Sequence, residues 1–544
     1  MTEESRPTRA GQTSRAQSGK NTSTQSQRTE PRWMRSHPDR YLVTAWPAGV
    51  RAVITELEQD ESCRVVRTLH GAVVAEMSPE HAVRLAARAG IMIERDISVV
   101  DGLAADGEIP ALTSTQLLVE VTDDARRPVV GAAVTLGAST AFTDADGQAT
   151  LTITPTTLAA AQALEVRPAR SCWPAMLYQP LAQQVRDGKV AVTCVRITTT
   201  IPDFPERALE SWGARAMGFT RLPPTYRGHG ARIVLIGSGA TAGHPDLSGQ
   251  LEHGRDILGH DEKSWQEDLI GTGTHYATLI AGRDDGTGIV GLAPDAQLQV
   301  CRVTPGGSAA DLVDALDYCV EQQADVVMFG TGLIGYSGLL ASAIDAAWRT
   351  GVVCVAPAGA FPAGLPHMLT VGALGQLGTF PPDSTDSMLV TAPLTPEGFF
   401  LPRFSQTLSR VDCCAPGVAV IGGLPPASYG PLSNAGAAAA HVTALVALVL
   451  AHHPVFRPES GRPPVRDASR PARLASLIKD SCRPLPLDKS RTGAGLPDAG
   501  VALGVAPHGT YPELPLPYPA PAPDGLLSLD PLTAAMRAAG LLPA

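Results

Sequence analysis

Four short apolar-rich runs constrain this chain more than any other feature. They are residues 233–236 (IVLI), 298–303 (LQVCRV), 326–329 (VVMF) and 352–355 (VVCV). Runs of that length suit strands of a parallel sheet covered on both faces. Between the second and third, residues 309–322 place Leu312, Ala315, Leu316 and Cys319 at helical spacing. Strands alternating with helices predict an α/β doubly wound parallel sheet over residues 228–504. Chemistry in such a sheet lies beyond the carboxyl ends of its strands.

Upstream, residues 41–98 predict a second, smaller α/β unit. Val50, Val53, Ile54 and Leu57 follow the i, i+3, i+4, i+7 pattern of an amphipathic helix after a strand at 41–45. Strands at 65–69 and 72–77 flank His70-Gly71. Ser78 as N-cap and Pro79 at the first position open a second helix. Val83, Leu85 and Ala86 are expected on its buried face, with Gly90 as its stop. A strand at 91–93 completes a β-α-β-β-α-β, ferredoxin-like order. Residues 115–198 read as all-β: Leu117, Val119 and Val121 alternate, as do Leu151 and Ile153. Between them, Asp144-Ala145-Asp146-Gly147 reads as a tight turn. It lacks the last carboxylate of a calcium loop, since position 155 is Pro.

The two ends are different in kind. Residues 1–36 hold almost no apolar side chain, and residues 1–40 carry eight Lys/Arg against four Asp/Glu. Such a segment is expected to stay disordered. Residues 505–544 include a polyproline stretch, PELPLPYPAPAP, and close on a short amphipathic helix. The boundaries expected are therefore 1–36, 37–100, 101–200, 201–504 and 505–544.

Composition narrows the function classes. Gly (53) and Pro (47) together make about 18% of the chain, against ~12% in average usage. No Gly-X-Y period accompanies them, so collagen is excluded. The net charge of -10 does not support a nucleic-acid partner. No apolar leader opens the chain, and the longest apolar run, at 441–453, is short of the ~20 residues a membrane span needs. Nine cysteines occur without a CxxC; they read as reduced thiols in a cytoplasmic protein, with a Cys172–Cys194 bridge as the alternative in the β region.

The motifs of the third region run in an unbroken order. Ile236-Gly237-Ser238-Gly239 precedes His244-Pro245-Asp246-Leu247. Gly273-Thr274-His275 and Ala281-Gly282 follow, then Gly291-Leu292-Ala293-Pro294 and Ala324-Asp325-Val326-Val327. Phe361-Pro362-Ala363, Val371-Gly372-Ala373, Ala415-Pro416-Gly417, the helix behind residue 436 and Gly493-Ala494-Gly495-Leu496 complete the order. Together they closely resemble the subtilisin-like serine peptidases, the subtilases. The resemblance implies a subtilisin-like parallel-sheet domain. Leu42-Val43, Met77-Ser78 and Glu94-Arg95-Asp96 resemble the subtilase propeptide, which implies a propeptide-like domain packed in cis on the body. The PVxGAxV and TDxDG elements resemble the small carboxypeptidase-regulatory or immunoglobulin-like β-sandwiches.

The family's chemistry uses a Ser that attacks the carbonyl, a His that takes its proton and an Asp that orients the His. At those three positions this chain carries Gly436, Thr272 and Gly237, and at the oxyanion Asn position it carries Ala360. Gly offers no functional group, and Thr is no base near neutral pH. Three neighbours are candidate substitutes. His275 matches a structural His on the following helix, His244 belongs to a turn after the first strand, and Ser433 lies on the loop one turn before position 436. The expectation is a chain that is not an enzyme: an inactive subtilisin-like protein (pseudopeptidase) that binds a peptide or protein partner, scaffolds, or regulates. Gly330, Thr331 and Gly332 are expected to line its cleft, where an extended peptide adds as a strand. The alternative is an active endopeptidase with a relocated nucleophile, Ser433. A third reading is a structural module in which the β region and tails recruit. No cofactor and no metal are expected; Asp284-Asp285-Gly286-Thr287-Gly288 only loosely resembles the family's calcium loop.

Overall fold

The computed structural model describes residues 40–45, 50–60, 62–69, 71–88, 91–100, 115–153, 163–178, 185–251, 253–259, 261–405, 410–457 and 465–509. The basic tail, His70, Gly90 and the polyproline segment with its closing helix lie outside the described residues.

The first unit comprises β1 (Arg40–Ala45), α1 (Val50–Gln59), β2 (Cys63–Leu69), β3 (Ala72–Met77), α2 (Pro79–Ala86) and β4 (Ile91–Arg95), followed by the two-residue strand β5 (Val99–Val100). Its sheet has the order β2-β3-β1-β4, antiparallel throughout. Alternation along β1 buries both of its faces. Tyr41 and Val43 pack with Val53, Leu57 and Leu85, whereas Leu42 joins Val74, Leu312 and Leu340. Ser78 caps α2, its Oγ accepting from the His81 amide at 3.2 Å. The buried face of α2 is Ala82 and Leu85; of the three residues expected there, Leu85 is buried, whereas Val83 and Ala86 are exposed. Val83 is 70% exposed, because the pair three residues apart that meets the sheet leaves it about 100° round the helix.

The all-β region holds β6 (Thr115–Asp123), β7 (Ala133–Leu136), β8 (Ser139–Phe142), β9 (Gln148–Ile153), β10 (Ala163–Arg167), β11 (Ala175–Tyr178) and β12 (Lys189–Cys194). They form two sheets, β11-β10-β7-β8 and β12-β6-β9, and the β12–β6 pair is parallel. Alternate residues from both sheets share one core, including Leu117, Val119, Val134, Leu136 and Leu151. Asp144 Oδ1 accepts from the Asp146 and Gln148 amides at 3.0 and 2.9 Å, closing the turn around Gly147. Cys172 and Cys194 are free, buried thiols, so the alternative of a bridge between them is not what this structure holds.

The body contains β13 (Arg232–Gly237), β14 (Gly254–Asp256), α3 (Thr272–Ala281), β15 (Gln297–Arg302), α4 (Ala309–Glu321), β16 (Val326–Phe329), β17 (Gly332–Leu333), α5 (Gly338–Arg349), β18 (Val353–Pro357), β19 (Met368–Gln376), β20 (Phe399–Phe400), β21 (Cys413–Pro416), β22 (Val420–Leu424), β23 (Ser428–Leu432) and α6 (Ala435–His452). Its sheet runs β14-β15-β13-β16-β18-β19-β20, with β21 also beside β19. All pairs are parallel except β19–β20. β13 shows why: Ile233 and Leu235 face α3 and α6, while Val234 and Ile236 face α4 and α5. α6 is long and apolar enough to cross a membrane, yet every residue from Gly436 to Val449 is buried within this core.

Two histidines are sealed in that core. The His275 Nε2–H donates to Val420 O and the His441 Nδ1–H to Ala437 O, each at 2.8 Å. Burial pushes both imidazoles down to about 4. The unfolded chain protonates them below about 6.5, so it binds more protons than the folded one between pH ~4 and ~6.5. Their contribution to stability is complete above that window and is lost as the pH falls through it. Imidazole resonances of His275 and His441 are therefore expected to remain those of neutral rings at pH 5; protonated spectra there would contradict the burial argument.

Candidate functional site

Gly237 ends β13, and its carbonyl accepts from the Val303 and Thr304 amides at 2.8 and 3.2 Å. A Cβ placed on Gly237 would find only Gly330 Cα, 4.0 Å away. Ser238 turns toward the start of α3. Its Oγ accepts from the Gly273 amide at 2.9 Å and lies 3.1 Å from Thr272 Oγ1. Asp268 fixes that helix start, with Oδ1 accepting from the Gly271 amide and Oδ2 from the Thr274 amide, both at 2.7 Å. Gly271 itself has φ +94°, a left-handed conformation that favours glycine.

One turn along α3 from Thr272 stands Tyr276. Its hydroxyl donates at 3.1 Å to Asn434 Oδ1, the N-cap oxygen of α6, which also accepts from the Ala437 amide at 2.8 Å. The same hydroxyl occupies the space that a Cβ on Gly436 would need. On the other flank, the Gly330 amide donates to Ile236 O at 2.7 Å. A Cβ on Gly332 would lie 2.7 Å from Ala360 Cβ. The structure thus gathers Gly237, Thr272, Gly436, Ala360 and residues 330–332 at the carboxyl ends of β13, β16 and β18, and the side chains there are those the sequence spells.

The three substitutes are placed differently. His275 points away, against β22, where a Cβ on Gly422 would come within 2.5 Å of its ring. His244 is buried in its turn, with Nε2–H donating to Ser428 O at 2.9 Å and Nδ1 accepting from the Asp246 amide at 3.2 Å. Ser433 accepts from the Ala419 amide at 2.7 Å and donates to Asp386 Oδ1 at 2.6 Å. Asp386 is fully enclosed. Burial pushes its carboxyl up, opposed by the Ser433 and Ser384 hydroxyls. The looser calcium candidate is engaged otherwise: Asp284 pairs with Arg227, and Asp285 accepts from the Thr287 amide at 3.1 Å.

The cleft strand is β17, shifted one residue beyond the expected 330–332, and it is already paired. β5 runs antiparallel to it, with Val100 opposite Gly332 and Val99 opposite Leu333. On its other side Leu333 exchanges backbone hydrogen bonds with Phe361 at 2.8 and 3.1 Å. The segment leading into β5 is pinned by two carboxylates at helix N-termini. Glu94 accepts from the Gly338 amide at 2.7 Å and from Ser337 Oγ at 2.6 Å at the start of α5. Asp96 Oδ1 accepts from the Ala310 amide at 3.0 Å at the start of α4. Arg67 adds ion pairs to Asp311 and Asp314 at 2.8 and 3.3 Å.

Sequence reasoning missed Tyr276 and β5. Tyr276 was within reach, because four residues from Thr272 means the same helix face. Two β-branched residues at 99–100 carry no signal of where they pair.

Comparison with known proteins bears on the family and the fold. Residues 228–495 match the subtilase family. The chain is 28% identical over 289 residues to the major intracellular serine protease of Bacillus subtilis, covering 49% of this chain and 80% of that protein. It is 27% identical over 245 residues to subtilisin E of the same organism, covering 42% and 58%. It is 30% identical over 224 residues to the thermophilic serine proteinase of Bacillus sp. strain AK1, covering 40% and 52%. The chain therefore spans little more than half the length of the latter two. Fervidolysin from Fervidobacterium pennivorans, a keratinolytic enzyme related to subtilisin, shares the fold with a TM-score of 0.54 at 19% identity, over 87% of this chain and 61% of its own. These matches correct one expectation. The curated relatives are serine proteases by name, so the inference from residues 237, 272 and 436 to a non-enzyme is withdrawn. The residues at three positions state what stands there, not what the protein fails to do.

Shared space at the start of α6 yields a double-mutant test. Gly436→Ser forces the Tyr276 ring aside, and overpacking of this kind costs about 1–3 kcal/mol. Combined with Tyr276→Val, it is expected to cost clearly less than the sum of the two single changes, measured by chemical denaturation. Strictly additive costs would show that the two positions do not compete.

Proposed function

We propose that this chain, whose residues 228–495 form a subtilase-family domain, acts on extended polypeptide that it grips by strand addition at residues 330–333. The antiparallel pairing of β5 with β17 carries this reading, because an extended segment of the chain itself is seated there. Backbone hydrogen bonds supply affinity in this mode, and side-chain pockets supply selection. Val99 is 9% exposed and shares a cluster with Leu333, so the pocket it fills selects an apolar residue at that position. In this reading residues 37–100 are a propeptide-like domain that holds the groove in cis, residues 101–200 are a spacer sandwich, and residues 201–504 are the body. Gly237, Thr272, Gly436 and Ala360 occupy the positions of the family's triad and oxyanion donor.

A second reading is hydrolysis of the gripped polypeptide by an endopeptidase with a relocated nucleophile. It draws on the named relatives and on one observation. Ser433, three residues from position 436, donates its hydroxyl hydrogen bond to the Asp386 carboxylate at 2.6 Å. Asp386 would take that proton as Oγ attacks the substrate carbonyl.

The test opens the groove. Val99→Asp places charge in the apolar slot that Val99 fills, and with Val100→Asp it is expected to evict β5. The full-length variant is expected to bind fluorescently labelled, unfolded casein about tenfold more tightly than the parent chain, by anisotropy. Gly332→Val, colliding with Ala360, is expected to abolish that gain. If the opened groove captures no polypeptide, the proposal fails. The same samples test the second reading: fluorophosphonate labelling that disappears with Ser433→Ala supports it, and absence of labelling eliminates it.

A further inference from the structure

Three segments of the first unit bring unlike donors to one corner. Asp60 follows α1, Cys63 opens β2, and His81 sits in the first turn of α2. His81 Nε2 lies 3.5 Å from Asp60 Oδ2, and one donor atom from each of the three residues lies within 4.8 Å of the others. Ser62 organises them. Its Oγ donates to Asp60 Oδ1 at 2.5 Å, its amide donates to the same oxygen at 2.8 Å, and its Oγ lies 2.9 Å from His81 Nδ1.

We propose that Asp60, Cys63 and His81 form a site for a divalent transition-metal ion, Zn²⁺ being the best match, bound by Oδ2, Sγ and Nε2 with a water in the fourth position.

The geometry is close to what the ion requires. Bonds of about 2.0–2.3 Å in a tetrahedron set ligand atoms roughly 3.3–3.7 Å apart, and the Nε2–Oδ2 pair already has that spacing. The remaining gaps close by side-chain rotation at half-buried positions. A thiolate beside an imidazole selects zinc-like ions over Mg²⁺ and Ca²⁺. Ser62 holds the far ring nitrogen, which turns Nε2 toward Asp60, as the outer partners of metal-binding histidines do. The two bonds from Ser62 also keep the Asp60 carboxyl below its ordinary range, hence charged. Burial and the Asp60 charge push the Cys63 thiol up, so the ion binds by displacing the Sγ proton, one released per ion. Arg84 competes: its Nη2 lies 3.2 Å from His81 Nδ1 and must yield that nitrogen to Ser62. The bound ion would clamp the end of α1, the start of β2 and the first turn of α2 together.

Co²⁺ titration of the full chain at neutral pH tests this. One equivalent is expected to produce a thiolate-to-cobalt charge-transfer band that Zn²⁺ abolishes, and Zn²⁺ is expected to raise the melting temperature. Cys63→Ser should remove the band, His81→Ala should weaken binding at least about tenfold, and Arg84→Ala should strengthen it. Cys172→Ser, in the β region, should leave the band intact. A wild-type chain without the band, or a band that survives Cys63→Ser, would overturn the assignment.

Discussion

Seven strands of the main sheet run in one direction, and that constraint decides which loops of the body share an edge. A parallel sheet covered on both faces has no polar face of its own. Its parallel strands deliver their carboxyl ends to one edge, and the loops leaving that edge are where sheets of this kind meet their ligands. Residues 237–238, 330–333 and 357–361 leave there, crowded by their common origin. The Gly330 amide bonds back to Ile236 O at 2.7 Å, and position 332 has no room for a Cβ beside Ala360. Glycine at 332 follows from packing before any function is considered, and at 330 a Cβ would stand a tight 3.1 Å from Ile236 O.

The same handedness places helix N-termini at that edge, and these explain how the first unit is docked. α4 and α5 present unpaired amides and the positive ends of their dipoles; Asp96 and Glu94 fill them. An anion at such a position contributes about 0.3–1 kcal/mol, and up to ~2 kcal/mol when partly buried. Burying one Leu or Val side chain contributes about 1.5–3 kcal/mol, and Leu42, Leu69, Val74 and Val99 are all buried against Leu312, Leu316 and Leu340. Apolar contact therefore holds the unit on the body, while the two carboxylates fix its register. Register is what matters for β5: a slip of one residue would take Val99 out of its pocket.

Legibility in the sequence followed the same division. The apolar runs at 233–236, 326–329 and 352–355 became β13, β16 and β18 within a residue or two, because a strand buried on both faces leaves no alternative pattern. The Ser78 cap and the 309–322 helix were legible for equally local reasons. Val83 was misplaced because composition says apolar and only the angle to Ala82 and Leu85 says exposed. Pairing of Val99–Val100 with Gly332–Leu333 joins residues more than two hundred positions apart, and nothing local encodes it. The resemblance named positions 237, 272, 360 and 436, whereas the space around each of them required the structure.

Those spaces are not uniform, and the difference bears on how the site is to be understood. Position 237 is open, with its nearest prospective neighbour at 4.0 Å, whereas position 436 is filled by the Tyr276 hydroxyl. The interface of α3 with α6 is closed at position 436, with Tyr276 bonded to the oxygen that caps α6. Tyr276 and Gly436 therefore work as a pair, each sterically permitting the other. The Ser433 hydroxyl stands outside that contact, donating to Asp386 Oδ1 at 2.6 Å just ahead of α6.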